Sequence, residues 1–221
     1  MKTTLRLTVA AFVLAASNLS AATLYVSLDS PNPTPPFATW ATAATNIQDA
    51  VDAARNGDTV LVTNGVYAVG ARDVLVLDTN LQPPQLVSGG LSRVVVTNSI
   101  RLESVNGPVL TRIDGGKMLN EAGHITNGVR CVCLGTDAVL TGFTLTNGVA
   151  WDGGGVWAES PSAVISNCTL TSNSAQHGGG AHGGTLYGCT LNGNWAGNRK
   201  FHTGTDLPAP WIGSGPWTWE P

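Results

Sequence analysis

Four residues have the side chains best suited to ligand binding: Trp151, Asp152, Trp157 and His177. Asp152 and His177 each directly precede a run of three glycines, at matching places in two similar segments. Exposed indole rings are stacking platforms for sugars, and a carboxylate or an imidazole beside them can hydrogen-bond hydroxyl groups. The spacing therefore predicts a shallow carbohydrate-contacting strip. The alternative, which the glycines favour, is that these are loop residues beside glycines required for backbone shape.

The same region lacks the charged groups that polysaccharide cleavage needs. Residues 138–198 contain no Lys or Arg, and their only carboxylates are Asp152 and Glu159, on opposite sides of one glycine run. Calcium-assisted elimination needs clustered carboxylates, and glycoside hydrolysis needs a carboxylate pair at a defined separation. We therefore predict no catalytic residue here, and we expect Asp114, in an Ile-Asp-Gly-Gly segment, to shape a turn.

Histidine and cysteine spacing indicates neither a metal site nor a cofactor. No zinc-type spacing connects the four histidines and four cysteines: His124, His177, His182, His202, Cys131, Cys133, Cys168 and Cys189. Cys168 and Cys189 fall at the same place in two repeats, so they either bridge or simply pack as small apolar residues. Straight stacking favours packing, and the disulfide state is left open.

The first 22 residues have the pattern of a secretory signal peptide. Lys2 and Arg6 precede an apolar run over 7–16, and Ser20-Ala21-Ala22 resembles a small-x-small cleavage site. We expect cleavage after Ala21 or Ala22 and a secreted or cell-surface protein. Only 11% of residues are charged and the net charge is −3, which gives no electrostatic reason to expect nucleic acid as a partner. No later apolar run is long enough for a transmembrane helix.

Residues 138–198 repeat themselves. Three segments align so that Leu145, Leu170 and Leu191 correspond, at intervals of 25 and 21 residues. A period of this length, rich in β-branched residues and turns, is typical of a solenoid. Within each repeat the apolar positions change parity, so a corner must lie between two short strands. Gly142, Asn167 and Gly188 stand there, and Gly and Asn tolerate left-handed backbone.

Upstream, residues 23–67 predict a strand, a capping helix and a first coil. Ile47, Ala50, Val51 and Ala54 form one apolar helix face, and Thr45-Asn46 supplies a cap. We expect that face to close the end of the solenoid. Further short strands are predicted within 59–67 and the less regular 68–137: Thr59–Val62, Val66–Tyr67, Val74–Leu77, Val94–Val96, Ile100–Leu102 and Val109–Leu110.

The last segment, 199–221, departs from the repeat. It is rich in proline and tryptophan, and proline cannot donate to a strand ladder. Two interpretations stay open: an irregular lid over the last coil, or a fragment whose exposed last coil would self-associate. The second is favoured because the break falls inside a repeat unit.

Four stretches carry a resemblance to a known group: Ile47–Tyr67, Ile113–Gly116, Gly142–Gly148 and Gly153–Trp157. They are similar to secreted bacterial right-handed parallel β-helix proteins of the pectin-lyase-like group. The resemblance implies an all-β fold, a right-handed parallel β-helix over 68–198 with an N-terminal capping helix and a truncated C-terminus. We predict a secreted or cell-surface scaffold that is not catalytic and that binds a polysaccharide or a cell-surface glycan. The resemblance also implies an alternative function, that of a lyase or hydrolase acting on acidic glycans.

Overall fold

The computed structural model describes residues 20–78, 83, 85–119 and 125–197. Side chains of residues 76–82, 84–88 and 117–127 are outside this description. The predicted signal peptide therefore lies almost entirely outside the described residues, as does the 199–221 tail. The described chain is mostly β-strand, with one α-helix, α1 (Ile47–Ala53), and one short 3-10 helix, Trp40–Thr42.

In the described residues, twenty strands form four sheets whose pairing is almost entirely parallel. In chain order they are β1 Thr23–Val26, β2 Thr59–Val62, β3 Gly65–Tyr67, β4 Arg72–Asp78, β5 Gln85–Val96, β6 Arg101–Ser104, β7 Thr111–Asp114, β8 Lys117–Leu119, β9 Ile125–Leu134, β10 Val139–Thr141, β11 Thr144–Thr146, β12 Val149–Asp152, β13 Val156–Ala158, β14 Val164–Ser166, β15 Thr169–Thr171, β16 Ser174–His177, β17 Ala181–His182, β18 Thr185–Tyr187, β19 Thr190–Asn192 and β20 Trp195–Ala196.

The chain returns to the same sheets in the same order. Sheet 1 runs β1-β2-β6-β10-β14-β18, sheet 2 runs β3-β7-β11-β15-β19, sheet 3 runs β4-β5-β9-β13-β17 with β8 paired beside β9, and sheet 4 runs β12-β16-β20. We call the last three passages repeat 1 (139–158), repeat 2 (164–182) and repeat 3 (185–196). Each strand of a repeat pairs in parallel with its counterpart in the preceding one.

The predicted register of the repeats is confirmed. Leu145 pairs with Leu170, and Leu170 with Leu191, in one column of sheet 2. Leu145 and Leu170 are fully buried, whereas Leu191 is 52% exposed because its strand, β19, lies at the edge of sheet 2. The prediction that all three are buried is therefore wrong for Leu191.

The predicted corners are confirmed as well. Gly142, Asn167 and Gly188 have φ of 80°, 49° and 57°, the left-handed region that glycine and asparagine tolerate best. Leu140 and Phe143 are an odd number of positions apart, so in one straight strand they would point to opposite faces. The corner between them turns both side chains into the same core, where both are fully buried.

Helix α1 begins at Ile47 as predicted. Asn46 caps it, since its side-chain oxygen accepts a hydrogen bond from the Gln48 N–H at 2.9 Å. The predicted apolar face is buried in the core: Ile47, Ala50, Val51 and Ala54. The prediction that this face is covered holds, and the helix packs against β1, β2 and β5.

Gln48 shows how the helix closes a sheet edge. Strand β4 pairs antiparallel with β5 only as far as Ser92. Beyond that point the Gln48 side chain acts as a strand: its Nε2 donates to the Val95 carbonyl at 3.0 Å, and its Oε1 accepts from the Val95 N–H at 2.7 Å. The edge of β5 is thereby hydrogen-bonded although no strand lies there.

Two details of the 68–137 region differ from the sequence-based prediction. Val109–Leu110 is not a strand: it belongs to a turn in which the Leu110 N–H donates to Gly107, and Val109 is 92% exposed. Strand β7 begins at Thr111, two residues after the predicted start, because residues 108–110 form this turn. The antiparallel pairs β4–β5 and β8–β9 were not predicted.

Replacing Leu170 with Ala should lower the free energy of unfolding by about 2–5 kcal/mol, because a fully buried leucine leaves a cavity in a stacked column. Leu191→Ala, in the same column but half exposed, should cost about half that or less. Denaturant unfolding measures both. Equal losses for the two variants would contradict the register.

Candidate functional site

The predicted ligand-binding residues come together where sheet 4 meets sheet 3. Asp152 ends β12 and pairs in register with His177 at the end of β16. Trp157 of β13 pairs in register with His182 of β17. The corner between the two sheets brings these pairs together. We call Trp151, Asp152, Trp157, His177 and His182 the tryptophan–histidine strip.

Asp152 is the centre of the strip. Its Oδ1 lies 2.7 Å from the His177 Nδ1, in a hydrogen bond. The Nδ1 of His182 lies 3.3 Å from the same oxygen but makes no hydrogen bond, and it is shielded from solvent. One carboxylate oxygen thus lies close to two imidazoles but is hydrogen-bonded to only one of them, that of His177. Both rings remain partly exposed, with 58% and 43% of the His177 and His182 side chains accessible.

The aromatic rings are arranged around this centre. Trp151 is 58% exposed, and its ring lies edge-on to the His177 ring with centroids 6.3 Å apart. The His177 and His182 rings are 6.4 Å apart, again edge-on. Trp157 is only partly exposed. Trp151 is therefore the ring with most open surface for a ligand.

The glycine runs have a structural reason of their own. A Cβ on Gly154 would lie 2.5 Å from the Ser174 carbonyl oxygen, and one on Gly179 would lie 2.0 Å from the Trp195 carbonyl oxygen. Main chain packs directly on main chain here, so no side chain fits. Gly153 and Gly178 have φ of 58° and 59° and form the corner between sheets 4 and 3, directly after Asp152 and His177.

Arg130 fixes the main chain of the strip at Asp152 and Gly153, and the sequence analysis did not identify it. This arginine of β9 is 2% exposed. Its Nη2 and Nε donate to the Asp152 carbonyl at 2.9 and 3.1 Å, and Nε also lies 3.1 Å from the Gly153 carbonyl. Nη1 donates to the Ser92 hydroxyl at 3.0 Å, and the guanidinium carbon lies 6.0 Å from the Trp157 ring centroid. Burial lowers the pKa of Arg130.

The scarcity of cations in 138–198 hid this contact, because Arg130 lies in the strand before repeat 1 and reaches the strip across sheet 3. His182 was also missed as a strip residue. It follows Trp157 by the same 25 residues that separate Asp152 from His177, so the repeat alignment contained the signal. Asn173 had a signal as well, because Asn173 and Asn194 each stand three residues after a column leucine, Leu170 and Leu191.

Asn173 and Asn194 form an interior amide ladder. Asn173 is 1% exposed; it donates to the Leu145 carbonyl at 2.9 Å and accepts from the Gly148 N–H at 2.8 Å. It also donates to the Asn194 Oδ1 at 3.0 Å, and Asn194 in turn donates to the Leu170 carbonyl at 2.7 Å. The ladder satisfies main-chain groups at the corner between sheets 2 and 4.

Asp114 is the last residue of strand β7 and lies outside the strip. Its Oδ2 accepts from the Asn147 amide at 2.9 Å, and its carbonyl accepts from the Arg93 Nε at 2.8 Å. Among the described residues, no group of three His, Cys, Asp or Glu is arranged to hold a metal ion. His124 and His202 lie outside the residues described.

All four cysteines are free thiols. Burial raises the pKa of Cys131 to about 12 and that of Cys133 to about 11. Cys168 and Cys189 occupy the same place in repeats 2 and 3, and the neighbouring Cys189 thiol together with burial raises the pKa of Cys168. Each thiol donates to a main-chain carbonyl, Cys168 to Ser166 at 3.2 Å and Cys189 to Ile165 at 3.4 Å. The pair packs in one column, as the stacking interpretation expects.

Arg130→Met should lower the free energy of unfolding by about 2–4 kcal/mol, because it leaves the Asp152 and Gly153 carbonyls without their donor. Arg130→Lys should recover little of this loss, since an ammonium lacks the planar fork. Arg101→Met is the control: its ion pair with Glu103 is exposed, so the effect should stay within about 0.5 kcal/mol. A tolerated Arg130→Met, measured by denaturant unfolding, would contradict the support role.

No family model, curated protein or solved structure compared with this chain matches it. In the part of the chain that the structure describes, no helix is long and apolar enough to span a membrane.

Proposed function

We propose that this chain is an exported, non-catalytic scaffold that binds carbohydrate through the tryptophan–histidine strip. The observation that carries the proposal is the exposed Trp151 ring beside a hydrogen-bonded Asp152–His177 pair. An open indole face stacks on the apolar face of a sugar, while the adjacent carboxylate and imidazole hydrogen-bond its hydroxyl groups. The expected partner is a polysaccharide or a cell-surface glycan.

The scaffold in this proposal is a right-handed parallel β-helix with α1 as its cap. The repeated return of the chain to the same parallel sheets supports a helical winding, and right-handed crossovers dominate parallel connections. Self-association through repeat 3 belongs to the same proposal. Its support is that Leu191 and Tyr187 are 52% and 61% exposed on the last described repeat.

A polysaccharide lyase or hydrolase is the second candidate. The observation in its favour is the Asp152–His177 hydrogen bond, which fixes one imidazole nitrogen and leaves the ring partly exposed, as in a general base. Against it, Glu159, the only other carboxylate of residues 138–198, stands on the other side of the glycine run from Asp152, and the buried Arg130 is engaged with main-chain carbonyls. A cleavage site would need either the paired carboxylates or the calcium ligands.

Trp151→Ala should weaken binding to the best ligand of a glycan screen at least about tenfold, the effect of losing roughly 1.4 kcal/mol of stacking. The matched control is Trp40→Ala. Trp40 is 42% exposed but lies outside the strip, with its ring 4.4 Å from the Tyr25 ring. Isothermal titration with each variant gives the dissociation constants. Equal losses for both variants, or no glycan bound by the unaltered protein, would overturn the proposal.

Incubation with polygalacturonate and other acidic glycans should release no product, with or without calcium. Absorbance of unsaturated sugars and a reducing-end assay detect elimination and hydrolysis separately. Calcium-dependent unsaturated product that Asp152→Asn or Asp114→Asn abolishes would establish the second candidate instead. Asp137→Asn, an exposed carboxylate outside the strip, serves as the control.

A further inference from the structure

Asp58 is a buried carboxylate whose position bears on how the chain is processed. It precedes β2 and is 7% exposed. Its Oδ2 accepts from the Arg55 N–H at 2.8 Å, and its Oδ1 accepts from the Ala22 N–H at 2.7 Å. Among the described residues, no Lys, Arg or His side chain makes an ion pair with it. A buried carboxylate without a cation is costly.

We propose that the exported chain is cut between Ala21 and Ala22, so that the new α-ammonium group of Ala22 becomes the missing partner of Asp58. In the hydrolysis, which a signal peptidase would catalyse, water adds to the Ala21 carbonyl carbon and the C–N bond breaks. Ala21 leaves as a carboxylate, and the nitrogen remains on Ala22 as an ammonium. The nitrogen already lies 2.7 Å from the Asp58 Oδ1, so the ion pair forms without rearrangement.

The fold distinguishes this cut from the one a residue later. The Ala22 carbonyl accepts the Thr59 N–H at 2.8 Å, which extends the β1–β2 ladder by one bond. Cleavage after Ala22 would remove this acceptor together with the donor to Asp58. The leader pattern points the other way, since Ser20-Ala21-Ala22 suits the later cut and Leu19 stands three residues before the earlier one. The inference is independent of glycan binding.

The test is to express the full chain with its own leader in a secreting bacterial host and to determine the N-terminus of the exported protein. Intact mass and N-terminal sequencing should both give Ala22 as the first residue. A first residue of Thr23, or an uncut leader on the exported protein, would overturn the proposal.

A second measurement tests the ion pair itself. Chains beginning at Ala22 and at Thr23, released from a fusion partner that leaves no extra residue, should differ in Tm by at least about 3 °C in favour of Ala22. Asp58→Asn should reduce that difference to the share of the Ala22–Thr59 ladder bond, whereas Asp137→Asn, a control on an exposed carboxylate, should leave it unchanged. Equal Tm values for the two unaltered chains, or a difference that Asp58→Asn leaves unchanged, would overturn the role of Asp58.

Discussion

In-register parallel pairing between repeats is the constraint on which the other features depend. Because each strand lies beside its own counterpart, every residue is stacked on the equivalent residue of the neighbouring repeat. A leucine column then builds a continuous core, and an asparagine column builds an amide ladder. Leucine, threonine and asparagine therefore recur at fixed places in successive repeats.

The same constraint produced the tryptophan–histidine strip. Asp152 and His177 are counterparts in consecutive repeats, yet they differ in residue type, and the difference places an imidazole against a carboxylate. In the leucine and asparagine columns, by contrast, identical residues stack on each other. The strip is therefore a place where stacking is used for polar contact rather than for core packing, and Arg130 holds the main chain beneath it.

The parts of the fold that follow from local sequence were predictable. Asn46 and the apolar spacing after it located helix α1, and the corner residues located the bends, because both depend on a few adjacent residues. The β4–β5 pair and the reach of Arg130 were not predictable, because they depend on contacts between segments far apart in the chain.

The Gln48 amide that completes the edge of β5 has an evolutionary consequence. A duplicated repeat inserted between β13 and β17 would meet strands of its own kind on both sides and could pair at once. A duplicate placed ahead of β5 would have to displace a side chain that already occupies both hydrogen-bonding groups of Val95. Addition of a repeat ahead of β5 would therefore require loss of the Gln48 contact, whereas insertion between existing repeats would not.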